Sequence, residues 1–306
     1  MIGRFAPTPS GRMHLGNLYC ALMAWLSARA QGGQFIVRIE DLDAGRCHFE
    51  PHIEKVFEDL CWLGIDWDAG EDPASFQSKR SAIYEEYFEK LKTVAEIYPC
   101  YCSRAELHAA SAPHLADGQP LYDGRCYRMW KAGETPATSR RPAWRIHLPH
   151  EEIAFTDLVM GEYGENLSAE CGDFILRRSD GVYAYQLAVV VDDALSGVTE
   201  VVRGCDLLSS TPRQIHLYRL LGFKEPTFAH LPLLVGADGH RLAKRLGDLD
   251  AGMLREMTTP EELIGKLAAS LSLIDRPEPL TARELVQHFR WEAIPREDVK
   301  SFLESK

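Results

Sequence analysis

Apolar residues recur along this chain with two periods, and the alternation between them sketches a fold. Ile2 to Ala6 is a short apolar run broken by Pro7, Pro9 and Gly11, which predicts a buried strand. From Asn17 onward, Leu18, Ala21, Leu22, Trp25 and Leu26 fall at helical spacing, and Gly32-Gly33 ends them. Gln34 to Ile39 is rich in Phe, Ile and Val and runs as a second strand into Glu40 and Asp41. Strand, helix and strand in that order predict a β–α–β unit, hence an α/β fold with a Rossmann-type doubly wound parallel sheet. Ile53, Val56, Phe57, Leu60 and Leu63 mark another helix with Pro51 near its start, and Lys79 to Leu91 predicts one more.

The periodicity lapses between Tyr98 and Pro149, where Pro, Gly, Cys and His are frequent, and this stretch reads as an insertion into the sheet domain. Regular structure resumes over 152–159, 173–178 and 183–191, and the last run is read as a strand with Asp192 and Asp193 at its end. Thr211-Pro212 opens a helix carrying Ile215, Tyr218 and Leu221. Thr259 and Glu262 have the spacing of a capping box with Pro260 in the first turn, and the tail beyond is predicted helical. The expected units are 1–97 and 151–235 as two halves of one catalytic-type domain, 98–150 as the insertion, and 236–306 as a basic loop with a short helical region.

Composition narrows the class. The chain has 306 residues, and a net charge of −11 argues against binding nucleic acid over its whole surface, though a local basic groove on an acidic body is compatible with it. No apolar run is long enough to cross a membrane and the first residues lack a signal-peptide layout, so a cytoplasmic protein without membrane partners is expected. Eight cysteines in such a chain do not suggest a disulfide framework. Cys100, Cys102 and Cys126 cluster instead, and three thiolates with a fourth ligand would hold one structural zinc ion. On general grounds His108 and His114 are candidates for that fourth position.

Two segments carry phosphate chemistry. His14-Leu15-Gly16-Asn17 sits where a first strand turns into a helix, and free N–H groups at a helix start make an anion site. Gly16 would allow close backbone approach, and His14 can donate to phosphate oxygens. Far downstream, Arg241-Leu242-Ala243-Lys244-Arg245 forms a basic loop approached by Val235-Gly-Ala-Asp-Gly239, and Lys244 offers a mobile cation. Arg4 and Arg203 both sit beside apolar strand-like segments, where an ordinary surface ion pair is less expected. The two carboxylates at 192 and 193 are read either as structural supports or as ribose-side groups.

Taken together, Arg4-Phe-Ala-Pro-Thr-Pro-Ser-Gly-Arg-Met-His-Leu-Gly-Asn17, Arg38-Ile-Glu-Asp-Leu-Asp43 and the basic loop resemble the nucleotide-binding signatures of class I aminoacyl-tRNA synthetases, in their glutamyl branch. Two positions depart from the pattern. Asn17 replaces the second signature histidine, and Ala243 stands where a serine hydroxyl is usual. The resemblance implies ATP, with Mg2+, as substrate at His14, Gly16, Asn17, Arg241 and Lys244. It implies glutamate at Arg4, Phe5, Ala6, Pro7, Thr8, Glu40, Tyr185 and Arg203, with Glu40 on the α-ammonium and Arg203 on the side-chain carboxylate. Cys-x-Cys followed by Tyr-x-x-x-Cys resembles the zinc site of the short glutamyl-Q tRNA(Asp) synthetases, which implies Tyr122 as the fourth ligand. Only a short helical stretch follows Lys244, where a full glutamyl-tRNA synthetase continues into a large anticodon-binding part. The resemblance is therefore closest to that truncated group, whose members activate glutamate without tRNA and attach it to queuosine in the anticodon of tRNA(Asp). The alternatives are an enzyme that charges a tRNA 3′ end and a non-catalytic protein that binds glutamate or RNA.

Overall fold

The structure is a computed structural model and describes residues 1–42, 50–103, 106–107, 122–236 and 250–300. In chain order it begins with β1 (Ile2–Phe5), α1 (Leu15–Ala30) and β2 (Gln34–Val37), the predicted β–α–β unit. Next come α2 (Glu50–Trp62) and α3 (Ser81–Val94). The insertion contributes β3 (Ile97–Cys100), α4 (Arg125–Lys131) and β4 (Ala143–Ile146). A hairpin of β5 (Glu152–Asp157) and β6 (Gly161–Asn166) follows, then β7 (Phe174–Arg177) and α5 (Tyr185–Leu195). The remainder of the sheet domain is β8 (Glu200–Gly204), α6 (Thr211–Leu221), β9 (Thr227–Leu231) and β10 (Leu234–Val235). The last part holds α7 (Ala251–Met257), α8 (Pro260–Ser270), α9 (Ala282–Leu285) and β11 (Val299–Lys300).

The main sheet has the order β2-β1-β8-β9-β5-β6, with the neighbours from β2 to β5 parallel and β6 antiparallel at the edge. Side chains alternate between two cores, as a period of two requires. Phe35, Val37, Val202 and Ala229 join the core under α1, α2 and the C-terminal helices, whereas Ile36, Val201 and Phe228 join the core under α3, α5 and α6. The chain leaves β1 toward β2 on one side and returns as β8 on the other, so the order reverses between β1 and β8. Ligands of open parallel sheets bind at the carboxyl ends of the strands at such a point. There β1 and β8 pair at one position only, Gly3 with Glu200. Beyond it the Arg4 guanidinium donates to the Val202 carbonyl at 3.1 Å, a side chain standing where a ladder bond would be.

Two expectations need correction. The run from Tyr183 is helix α5 rather than a strand, so Asp192 and Asp193 lie in its last turns, not at a strand end. An unbroken apolar run of valines suits a buried strand or a buried helix equally, and here Leu187 to Asp193 are all buried in a helical segment. The tail is helical through α7, α8 and α9, and α8 has the predicted capping box of Thr259 and Glu262. Its last described residues are extended, with β11 pairing parallel to β10. Val299 donates to the Leu233 carbonyl and Asp298 accepts from the Leu233 N–H, which fixes the segment just before the basic loop. Among the described residues no helix is long and apolar enough to cross a membrane.

Candidate active site

The first signature folds as its sequence suggests. His14 caps α1, and its Nδ1 accepts the Asn17 N–H at 3.3 Å while its carbonyl takes the same N–H at 2.9 Å. A neutral ring with Nδ1 as acceptor carries its proton on Nε2, so that nitrogen is left as a donor for an anion. Gly16 has a local reason as well. A Cβ there would lie 3.1 Å from the His14 ring, so glycine keeps the capping rotamer uncrowded. Arg241 and Lys244 lie outside the described residues, as do His108 and His114.

The anchorage of the second signature is visible on its far side. Asp250 caps α7, the Ala251 N–H donates to the Met13 carbonyl, and His14 and Asp250 form an antiparallel bridge. Asp59 of α2 locks this junction. Its buried carboxylate accepts from Arg12 at 2.7 Å, from the Met13 N–H at 3.0 Å and from Arg255 of α7 at 2.8 Å. Burial raises the Asp59 pKa, against these donors, which act to lower it. One carboxylate thus ties the loop before His14 to the helix that follows the basic loop.

The residues expected to bind an amino acid come together at the β1–β8 reversal. Arg4 is buried, and its Nε donates to Asp193 at 3.2 Å. Phe5 and Pro7 are buried and Thr8 is exposed. The backbone from Phe5 to Pro7, through Ala6, runs beside Arg38 to Glu40, with Arg38 N–H on the Phe5 carbonyl and Glu40 N–H on the Pro7 carbonyl. Arg38 donates to Glu40 at 2.9 Å and also pairs with Asp193. Burial raises the Glu40 pKa, while Arg38 and Arg4 act to lower it. For Asp193 burial also acts upward, but Arg38 and Arg4 outweigh it and hold the carboxyl below its ordinary value. Tyr185 begins α5, and its phenol is within electrostatic reach of Arg203, Glu40, Arg4 and Arg38.

Arg203, on β8, is held differently. Its Nε donates to His230 Nε2 at 3.0 Å and its Nη2 to Thr211 Oγ1 at 2.7 Å. Its Nη1 is buried without a hydrogen-bond partner among the described residues. The structure therefore brings Arg4, Glu40, Tyr185 and Arg203 together and adds Arg38, Asp193, Thr211 and His230, which the sequence reading did not select for this pocket. Arg38 carried a signal, a charged residue at the end of a buried strand. Asp192 resolves as structural, since its carboxylate takes Gln77, Arg80 and Tyr84 at 2.8, 2.7 and 2.8 Å. In the pocket three guanidinium groups, of Arg4, Arg38 and Arg203, face two carboxylates, of Glu40 and Asp193. Among the described residues the guanidinium groups outnumber the carboxylates, which suits an amino acid with two carboxylates and one ammonium.

In the insertion, Cys100 ends β3 and Cys126 lies in α4. The sulfurs of Cys100, Cys102 and Cys126 are all within 4.8 Å of one another. Tyr122 Oη lies 3.7 Å from Cys100 Sγ and 3.9 Å from Cys102 Sγ, and it accepts the Cys126 N–H at 2.9 Å. Tetrahedral zinc with Zn–S bonds of about 2.3 Å needs sulfurs about 3.8 Å apart, which this grouping can meet with small shifts. The Arg145 guanidinium sits 4.1 Å from the Tyr122 ring centre and would offset the negative charge of a thiolate site. These residues fit a metal, and Tyr122 is the oxygen placed beside them.

Residues 1–292 match the family model described as tRNA synthetases class I (E and Q), catalytic domain. The chain is 51% identical over 311 residues to a glutamyl-Q tRNA(Asp) synthetase of Symbiobacterium thermophilum, covering 98% of this chain and 95% of that one. It is 44% identical to the protein of the same name from Nitratidesulfovibrio vulgaris, over 93% of this chain and 90% of the other. Among solved structures, a glutamate tRNA ligase from Elizabethkingia meningosepticum in complex with its amino acid superposes with a TM-score of 0.79 at 26% identity, over 98% of this chain and 66% of that longer one. The chain belongs to the class I glutamyl and glutaminyl tRNA synthetase family, alongside the glutamyl-Q tRNA(Asp) synthetases.

Proposed function

We propose that the protein activates glutamate with ATP, without tRNA, and transfers it to queuosine at the first anticodon position of tRNA(Asp). Membership of the family makes it a ligase of the aminoacyl-tRNA synthetase type. In the proposed first step the glutamate α-carboxylate attacks the α-phosphate of ATP and pyrophosphate leaves. In the second a queuosine hydroxyl attacks the glutamyl carbonyl and AMP leaves. His14, Gly16, Asn17, Arg241 and Lys244 would meet the nucleotide, with Mg2+ on its phosphates. Glu40 would take the α-ammonium, Arg4 and Arg203 the carboxylates, and Tyr185 a wall of the pocket, beside the Phe5–Thr8 backbone. One zinc ion on Cys100, Cys102, Cys126 and Tyr122 would brace the insertion.

The observation that carries the reading is Arg203 at the β1–β8 reversal, its Nη1 buried and without a hydrogen-bond partner among the described residues. A carboxylate satisfies it, and a side-chain amide leaves the charge unpaired. The decisive experiment incubates the protein with ATP, radiolabelled glutamate and an anticodon stem-loop of tRNA(Asp) with or without queuosine. Label should appear only on the queuosine form. Glutamate on the 3′ adenosine of tRNA(Glu) would establish the ordinary synthetase activity instead, and absence of glutamate-dependent pyrophosphate exchange would leave a binding protein.

A further inference from the structure

Among the described residues of the pocket, Arg203 is the cation that makes no hydrogen bond to a carboxylate. Arg4 and Arg38 share Asp193, whereas Arg203 rests on His230 Nε2 and Thr211 Oγ1. A guanidinium only donates, so His230 must accept at Nε2, and its ring proton must be on Nδ1. That nitrogen faces Asp157 Oδ2 at 2.6 Å. Asp157 is itself fixed by the backbone N–H groups of Val159, Met160 and His230, at 2.9 to 3.1 Å. Thr211 Oγ1, which accepts from Arg203, also lies 3.1 Å from His230 Nε2. His230 and Asp157 are fully buried or nearly so. The chain of bonds therefore has one consistent proton arrangement, with His230 neutral and Asp157 ionised.

We infer that His230, held in its Nδ1–H form by Asp157, is a positioning residue that sets the preference for a side-chain carboxylate over an amide. It aims the Arg203 fork without neutralising it. A carboxylate in the place of His230 would satisfy the guanidinium from within the protein and leave less attraction for a substrate anion. A neutral acceptor fixes the orientation and reserves the charge for the ligand. His230 touches neither the substrate nor the reacting atoms in this account. The inference rests on the glutamate reading of the pocket.

The test is steady-state pyrophosphate exchange by full-length His230→Leu, His230→Gln, Asp157→Asn, Arg203→Ala and the Arg203→Ala/His230→Leu pair, with glutamate or glutamine. His230→Leu should raise the glutamate KM roughly tenfold and narrow the glutamate-to-glutamine ratio, leaving the ATP KM within about twofold, as for a lost buried hydrogen bond to a charged group. His230→Gln, which keeps an acceptor, should recover part of the loss. The double variant should be no worse than Arg203→Ala alone, because the two residues act through one interaction. Nitrogen NMR of histidine-labelled protein, with the His230 signal assigned by its absence from His230→Gln, should show a protonated Nδ1 and an unprotonated Nε2 at neutral pH. The reverse tautomer overturns the inference even if His230→Leu does not fold. If Arg203→Ala raises the glutamate KM but folded His230→Leu does not, or raises both KM values alike, the positioning role falls by itself. If Arg203→Ala leaves the glutamate KM unchanged, the pocket assignment fails and takes this inference with it.

Discussion

The amino-acid pocket and the cysteine cluster are both gatherings of chemically costly groups, but they are gathered by different means. In the pocket the partners are remote in sequence: Arg4 meets Val202 across 198 residues, and Arg38 meets Asp193 across 155. Strands β1 and β8 and helix α5 bring them together, and most of their charges already have partners. In the cluster the partners are close, Cys100 and Tyr122 being 22 residues apart and Cys102 and Cys126 being 24. The small core around them consists of Tyr98, Cys100, Tyr122 and Cys126, with Cys102, Leu107 and Tyr127 against it. The described cysteines are free of disulfides. The pocket inherits its order from the sheet, while the cluster has a small core among the described residues and sulfurs grouped so that they could hold a metal ion.

The largest expected effect separates the two regions directly. Cys100→Ser should cut bound zinc from about one per chain to a small fraction and expose the stretch between β3 and β4 to protease, since structural zinc sites contribute on the order of 10 kcal/mol. Metal analysis and limited proteolysis report it, and glutamate-dependent exchange should fall far less. Equal collapse of both would mean that the pocket depends on the cluster. The next effect runs the other way. Asp193→Ala leaves the Arg4 and Arg38 guanidinium groups without their shared partner, and should cost about 3–5 kcal/mol in urea unfolding with zinc content unchanged.

Acid should unsettle the pocket in two stages. Burial outweighs the hydrogen bond to Asp157 and lowers the His230 pKa from 6.5 to about 4. Between those values the unfolded chain binds a proton that the native chain refuses, so stability falls as pH falls through that window, by roughly 3 kcal/mol at most. The Asp193 pKa is lowered as well: it contributes stability above its ordinary value of 3.8, lost as pH drops further through the folded value. In His230→Gln the upper stage should be reduced in unfolding curves recorded against pH, while the lower one persists. The smallest effect is expected at the junction outside both regions. Asp59→Asn weakens its bonds to Arg12 and Arg255 and should raise the ATP KM a few-fold, roughly the value of one charged hydrogen bond, with the glutamate KM steady. A change in the glutamate KM instead would show that the junction serves the pocket.

What the sequence disclosed follows the same division. The cysteine grouping was legible because its members are near neighbours at metal-ligand spacing, and the β–α–β start was legible from hydrophobic period. The capping box of α8 was likewise a local pattern. The pocket was legible only through the residues that lie in quoted motifs. Asp193 was noticed but placed at the end of a strand, because a run of valines does not say which regular structure it adopts. His230 and Asp157 carried no local signal at all: their partnership spans 73 residues and exists only after β5 and β9 pair. Arg38 stood in plain view within Arg38–Asp43, yet its role depends on Asp193, which the wrong secondary structure had displaced.

The pairing of β10 with β11 turns the intervening chain from an arm into a ring. Leu233 and Asp298, 65 residues apart, are clasped by backbone and side-chain bonds. Lys244 falls in the sequence between Val235 and the Asp250 cap of α7. The entropy of closing a loop rises only logarithmically with length, about 0.6 kcal/mol per doubling. Length added between β10 and β11 would therefore cost little, while undoing the bonds at Val299 would open the ring itself. The clasp, rather than the length it encloses, holds the two ends of that ring together.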